Sequence, residues 1–456
     1  MPHVIVIGAG ISGAATAWFL RRAGADVTVL DGAERVGGKL HTVELEGIPV
    51  DTGAEAMLNR RPEAVALARD VGLGELLTHP ATTTANLWIG NALRPIPAGT
   101  IMGIPGDLAA LKESDVLTPE GLARVEAEQL GELTDDVAVG PFVAERLGRE
   151  LVDRVVEPLL GGVYAGHADR LSLQATVPQL FALARRDPSL LHAVAQAKAA
   201  TPASDQPVFA GLDGGVGQLV PAVLSGIDVR LRTFVRELHR TETGWRLVVG
   251  SRHDQSELEA DAVVLACPAT PASRLLADVA PYASAELARI EYASMATIAL
   301  LYRREDFPAG VEGSGFLVPP REGRTIKAAT FSSAKWGWLA DRSADTVVVR
   351  TSVGRLGEEA DLQRTNEDLA AGAAADVREA IGPGTPIAWH VARWGGGLPQ
   401  YGVGHKAAVE RIRADIARQA GLAVAGAAYD GVGIPACVAT AKAAADQVLA
   451  QERMAT

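Results

Sequence analysis

The stretch HVIVIGAGISGAATAWFLRRAGADVTVLD, residues 3–31, leaves little freedom in how this chain begins. HVIVI is a short β-branched run bounded by glycine and reads as a strand. Gly8, Gly10 and Gly13 follow in the spacing G-x-G-x-x-G. SGAATAWFLRRAG then has helical apolar spacing and stops at Gly24. DVTVLD supplies a second strand that ends in Asp31. The glycines divide the work: Gly8 permits a tight turn, Gly10 admits a pyrophosphate to the backbone, and Gly13 lets the helix pack on the strand. Ala9, Ile11 and Ser12 complete a turn whose free N–H groups and helix dipole face phosphate. Asp31, 18 residues after Gly13, is placed to accept bonds from a ribose diol. Alone, the glycine spacing is a weak signal. Set between two strands and followed by the acid, it predicts a dinucleotide site, the plain alternative being a glycine turn with no ligand.

The rest of the chain must form more than one such unit. It has 456 residues, 48% of them hydrophobic, with 48 glycines but only 5% aromatics. Such a chain supports a large α/β core packed from small residues and is unlike a disordered one. The net charge of -12 and the lack of any Lys/Arg run argue against nucleic acid. Two cysteines, Cys267 and Cys437, cannot build a disulfide framework and fit a reducing cytoplasm. The start shows no secretory signal pattern, and no apolar stretch is long enough for a membrane span. Peripheral contact with a membrane stays open.

DGAERVGGKLHT, residues 31–42, narrows the ligand. Asp31, Gly32, Arg35, Gly37, Gly38 and Lys39 resemble the extension found in flavin oxidoreductases related to amine oxidases. The resemblance implies FAD, with the twin glycines against its pyrophosphate and Arg35 balancing charge; the alternative for Arg35 is a surface ion pair. PVDTGAEAM, residues 49–57, gives another small-residue turn, Gly53, Ala54, Glu55 and Ala56, which in that family passes the flavin.

Residues 60–200 read as mostly helical, with apolar spacings of three and four. NALRPIPAGTIMGIPGDL, residues 91–108, reads as an irregular loop over a cavity, and residues 197–215 as a link. DVRLRTFVREL and GWRLVVGS alternate and predict a hairpin; DAVVLACPA predicts a buried parallel strand. Val235 in the hairpin matches the position where family members hold adenine through backbone atoms. IALLYRRE, TIKAATFSS and TVVVRTSVG predict strands of a second sheet. GLAVAGAAYDGVGIPACVATAKAAADQVL, residues 421–449, is a strand, a glycine turn and a helix. Its Val432, Gly433 and Ile434 open a second helix toward the ligand, which by resemblance is the flavin's pyrimidine edge. Cys267 and Cys437 read as packing residues.

RWGGGLPQYGVGH, residues 393–405, combines dense glycine with aromatics just before that block. With GAGISG, DGAERVGG, the 91–108 segment, GLDGGVGQLVPAV and YDGVGIPAC, it makes the whole chain similar to the protoporphyrinogen/coproporphyrinogen oxidase family. The resemblance implies an α/β fold: a Rossmann-like FAD-binding domain (1–58, 206–270, 415–456), a mixed-sheet substrate domain (59–90, 271–414) and a helical insertion (91–205). It implies oxygen-dependent oxidation of coproporphyrinogen III to coproporphyrin III in heme biosynthesis, by three hydride transfers to FAD with peroxide formed. No catalytic side chain and no metal is expected, because the flavin carries the chemistry. Trp394 is expected beside the flavin. Arg94, Tyr401 and His405 are expected at the substrate, with Lys327, Lys335 and Lys406 as further cations for its propionates. Expected partners are the porphyrinogen, dioxygen and the next pathway enzyme, a ferrochelatase. Protoporphyrinogen oxidation, a flavin amine oxidase, a carotenoid desaturase and an inactive FAD-binding protein remain as alternatives. The covalent-flavin cysteine context of amine oxidases is missing.

Overall fold

The computed structural model describes residues 1–201, 206–342 and 344–455. Five parallel strands form the first sheet, in the order Asp228–Arg230, Asp26–Leu30, His3–Ile7, Ala262–Leu265 and Leu422–Val424. A parallel sheet is covered on both faces, which explains the unbroken apolar runs at its centre. Val4, Ile5, Val6, Val263 and Val264 are fully buried, each such side chain contributing about 1.5–3 kcal/mol. Helices Ile11–Arg22, Pro62–Asp70 and Ile434–Ala455 cover one face. Helices Ala269–Leu276, Pro281–Ala288 and His405–Ile416 cover the other, together with a three-stranded sheet of Val235–Arg240, Trp245–Gly250 and Gln255–Ala260.

A seven-stranded mixed sheet stands beside it. Its order is Ala388–Pro399, Tyr292–Arg303, Thr346–Val353, Ala328–Phe331, Gly315–Leu317, Asn86–Ile89 and Ala92–Pro95. Helix Asn366–Ile381 seals one face. The hairpin Thr42–Leu45/Ile48–Asp51 packs on part of the other. The helices between Leu108 and Ala200 gather around a separate core that includes Val143, Val155 and Leu160. The α/β architecture with a mixed second sheet and a helical insertion is the one expected.

Several local expectations change. The segment 91–108 is not an irregular loop. Gly90 and Asn91 (φ +56° and +62°), then Met102 and Gly103 (φ +47° and +84°), each take two successive positive φ values. That is the chemistry of tight hairpin turns, and Ala92–Pro95 and Thr100–Ile101/Ile104–Pro105 pair as strands. Within residues 197–215, helix Leu190–Ala200 ends and strand Phe209–Leu212 begins. Residues 202–205 of that stretch lie outside the described residues. Asp228–Arg230 joins the parallel sheet instead of the hairpin. Helix Pro62–Asp70 and residues 271–288 and 405–414 pack on the first sheet, although the expected boundaries placed them with the second.

Candidate active site

The glycine turns meet at the C-terminal edge of the parallel sheet, where doubly wound folds bind ligands. Gly37 donates its N–H to the Ala9 carbonyl at 2.9 Å, and Gly10 and Gly37 form an isolated bridge. Gly37 and Gly38 need their positive φ values of +103° and +55° to make this turn. Arg35 clamps the turn from outside, donating to the Val36 carbonyl at 3.1 Å and the Gly38 carbonyl at 2.9 Å. Asp31 is engaged locally: its carboxylate accepts from the Ala9 N–H at 2.6 Å and the Ala33 N–H at 2.7 Å. It therefore fixes the glycine turn, with further lone pairs left for a ligand.

The same glycines test whether a dinucleotide fits. A Cβ on Gly13 would lie 1.8 Å from the Gly8 carbonyl oxygen, and one on Gly8 would lie 2.6 Å from that of Ala266. Those two glycines serve the protein's own packing. Gly10 is different: none of the described residues lies within 4 Å of its Cβ position, and its φ of -76° suits any residue. Nothing in the fold requires glycine there, so the open side fits a close external group. Helix Ile11–Arg22 has no side-chain cap, and its first N–H groups are free for an anion. Helix Ile434–Ala455 begins nearby, its Cys437 N–H bonding back to the Gly433 carbonyl at 3.0 Å. The ideal Cβ of Gly426, in the turn before it, lies 3.9 Å from Ser12 Oγ.

The Gly53 turn joins this group. A Cβ on Gly53 would lie 1.9 Å from the Lys39 carbonyl oxygen, which also accepts from the Ala54 N–H at 3.1 Å. Side chains of the second sheet hold the turn from the other side. Trp394 Nε1 donates to the Thr52 carbonyl at 2.8 Å, and the Thr297 hydroxyl donates to the same oxygen. Arg350 donates to the carbonyls of Asp51 and Gly53, both at 2.9 Å. Glu55, expected beside the cofactor, is an internal anion. It pairs with Lys335 and lies 3.5 Å from Arg350. Burial pushes its carboxyl up, but Arg350 and Lys335 outweigh this and hold it at about 2. Asp51, taking Thr42 Oγ1 and the Val216 N–H, shows the reverse balance: burial raises it to about 6.

Across the second sheet, Thr297, Ser352, Ala328 and Leu317 are paired in one row and so share a face. Thr297 meets the Gly53 turn, and Leu317 packs with the helical core. Between them Ser352 and Ala328 are small and only half-buried. The row is mixed in polarity and starts beside Trp394, which bonds the same Thr52 carbonyl as Thr297. The three glycines after Trp394 lie inside the strand rather than in a loop. Gly396 takes φ +56° at a bulge and donates its N–H to Ser294 Oγ at 3.0 Å.

Of the residues expected at the substrate, Tyr401 and His405 meet each other in the interior. Tyr401 is 1% exposed, gives its hydroxyl to the Ala427 carbonyl and stacks on His405 at 3.9 Å between ring centroids. His405 is 6% exposed, bonded through Nε2 to the Tyr429 carbonyl at 2.9 Å, and burial lowers its pKa. Both rings are wall structure and touch no open surface. Arg94 pairs with Asp115 on the last strand of the seven, while Trp394 is on the first. At about 4.8 Å per strand the two are separated by roughly 29 Å along the sheet. Lys335 is spent on Glu55, and Lys406 is exposed on its helix. Lys327 is 4% exposed, and its Nζ has no hydrogen-bond partner among the described residues. Sequence reasoning missed Arg350. Its one signal was a charged residue inside the apolar strand TVVVRTSV.

Comparison with known proteins agrees with this geometry. The model of the family described as flavin containing amine oxidoreductase matches residues 11–449. The coproporphyrinogen III oxidase of Mycobacterium bovis is 38% identical over 97% of this chain and 96% of its own length. That of Bacillus subtilis is 29% identical over 98% of both. The crystal structure of a protein from Exiguobacterium sp. 255-15 superposes with a TM-score of 0.86, at 31% identity over 98% of both chains. Glycine turns convergent on one ligand edge and a family match spanning nearly the whole sequence lead to one conclusion: this chain belongs to the flavin-containing amine oxidoreductases.

Proposed function

We propose that the chain is an FAD-dependent oxidase that converts coproporphyrinogen III to coproporphyrin III, with dioxygen as final acceptor and hydrogen peroxide as by-product. The reading rests on similarity to coproporphyrinogen III oxidases along almost the full length. The structural observation that supports it is the pair of small, half-buried residues Ser352 and Ala328, in the row that Thr297 ties to the Gly53 turn beside Trp394. Small side chains there suit a broad macrocycle, whereas an amine needs a narrow aromatic cage.

FAD bound at the convergent turns supplies the hydride acceptor. The chain's own residues do the holding. Ala9, Gly10, Ile11, Ser12 and Gly13 present backbone N–H groups to the phosphates, and Asp31 orients the ribose. Arg35, held over the turn by the Val36 and Gly38 carbonyls, offsets the pyrophosphate charge. Gly37, Gly38, Lys39 and Ala54 line the stretch between the phosphates and the flavin. Val432, Gly433 and Ile434, at the start of the C-terminal helix, would offer backbone N–H donors to the bound flavin and so would favour negative charge on it. Trp394 and the row of Ser352 and Ala328 orient the substrate and exclude water. No side chain is required as a strong base.

The test is aerobic incubation of the yellow protein with coproporphyrinogen, protoporphyrinogen and putrescine, followed by porphyrin fluorescence and peroxide. Coproporphyrin with three peroxides per porphyrin is expected. Turnover of putrescine, or of protoporphyrinogen alone, would overturn the assignment.

A further inference from the structure

We propose that Phe234 is the platform on which the adenine ring of FAD stacks; the inference rests on the FAD placement given above. The strand order fixes the direction in which the cofactor must run. Phosphates belong at Gly10, above the central strand His3–Ile7. Asp31 ends the neighbouring strand Asp26–Leu30, and Asp228–Arg230 lies outside that at the sheet's edge. A dinucleotide passing from Gly10 across Asp31 therefore delivers its base to whatever stands over the edge strand.

Phe234 stands there. After Arg230 the chain folds back along residues 31–33. The Asp31 N–H bonds the Arg230 carbonyl at 3.0 Å, the Thr233 N–H the Asp31 carbonyl at 2.9 Å, and the Arg232 N–H the Ala33 carbonyl at 2.9 Å. Arg232 takes φ +53°, a conformation that side-chain-bearing residues avoid unless the surroundings impose it. The result seats the phenyl ring on Gly32. A Cβ on Gly32 would lie 2.5 and 2.6 Å from two ring carbons, so glycine is needed next to Asp31 for the ring to lie there. Yet the ring is 59% exposed. A ring held so closely on one side and left bare on the other is fixed in place but unburied. It lies one residue from the acid assigned to the ribose, and a base stacked on an aromatic ring gains without needing specific hydrogen bonds.

The experiment uses apoprotein freed of flavin and titrated with FAD, ADP and FMN, read by flavin fluorescence quenching and by ADP competition. Phe234→Ala should raise the dissociation constants of FAD and ADP about tenfold and leave that of FMN unchanged. Phe234→Trp should restore both. Unchanged FAD and ADP affinity in the alanine variant overturns the role of Phe234, as does an equal loss for FMN or a failure of tryptophan to restore binding. Wild-type apoprotein that binds no FAD would overturn the cofactor placement itself.

Discussion

Trp394 donates its indole N–H to the carbonyl oxygen of Thr52 at 2.8 Å. The bond crosses from the seven-stranded sheet to the turn at the edge of the parallel sheet, and Arg350 crosses the same boundary twice. A wall of the proposed substrate surface and a wall of the proposed flavin site are thus one piece. The position of each is set by the other.

Removing that bond while keeping an aromatic ring tests the linkage. Trp394→Phe leaves the Thr52 carbonyl with only the Thr297 hydroxyl. One net hydrogen bond amounts to about 1 kcal/mol, so the holoprotein should melt about one degree lower and release FAD several-fold faster. Unchanged FAD release would show that the turn does not depend on Trp394.

Glu55 gives a pH signature. Its folded value of about 2 lies below the ordinary 4.5, so its contribution is fully present above pH 4.5 and is lost as pH falls toward 2. Glu55→Gln leaves Lys335 and Arg350 without their shared anion, a loss on the order of 3–5 kcal/mol. Melting temperatures across that window should fall in the wild type. In the variant they should be lower at neutral pH and flatter toward acid.

Lys327 gives a second pH signature, with the same sign but in the alkaline range. Burial lowers its ammonium from 10.5 to about 7; repulsion from Arg355 adds to this and Glu358 opposes it. Between those values the unfolded chain holds a proton that the folded chain has lost. Stability from this group therefore rises as pH climbs from about 7 to about 10.5. Lys327→Met should abolish the rise and stabilise the protein at neutral pH by on the order of 1–4 kcal/mol. Denaturant titrations at two pH values in that range decide it, and a destabilised methionine variant would show that the charge has a partner.

Gly10 and Gly13 separate ligand binding from folding. Gly10→Ala meets none of the described residues, so it should fold and melt like wild-type apoprotein but bind FAD more weakly. Gly13→Ala drives a methyl into the Gly8 carbonyl and should not fold. Circular dichroism and flavin content of the two variants give the comparison.

Much of this was legible in the sequence because the cofactor edge is built from contiguous stretches. His3 to Asp31 is one strand, turn, helix and strand, and each residue's task follows from its neighbours. The substrate wall was not legible, since its positions are set by sheet pairing between distant segments. Arg94 looked close to the site because its segment is rich in Pro and Gly, yet strand order puts it at the opposite edge from Trp394. Tyr401 and His405 lie a few residues from Trp394 in sequence, but the chain leaves the strand at Pro399 and turns them into the wall. Arg350 binds backbone carbonyls some three hundred positions away, a partnership that no local pattern encodes.

The most direct measurement is anaerobic mixing of the purified protein with coproporphyrinogen III while its visible spectrum is followed. Bleaching of the flavin bands together with the growth of porphyrin absorption is the predicted result. A protein without flavin bands, or one bleached by an amine and left unchanged by the porphyrinogen, would contradict the account.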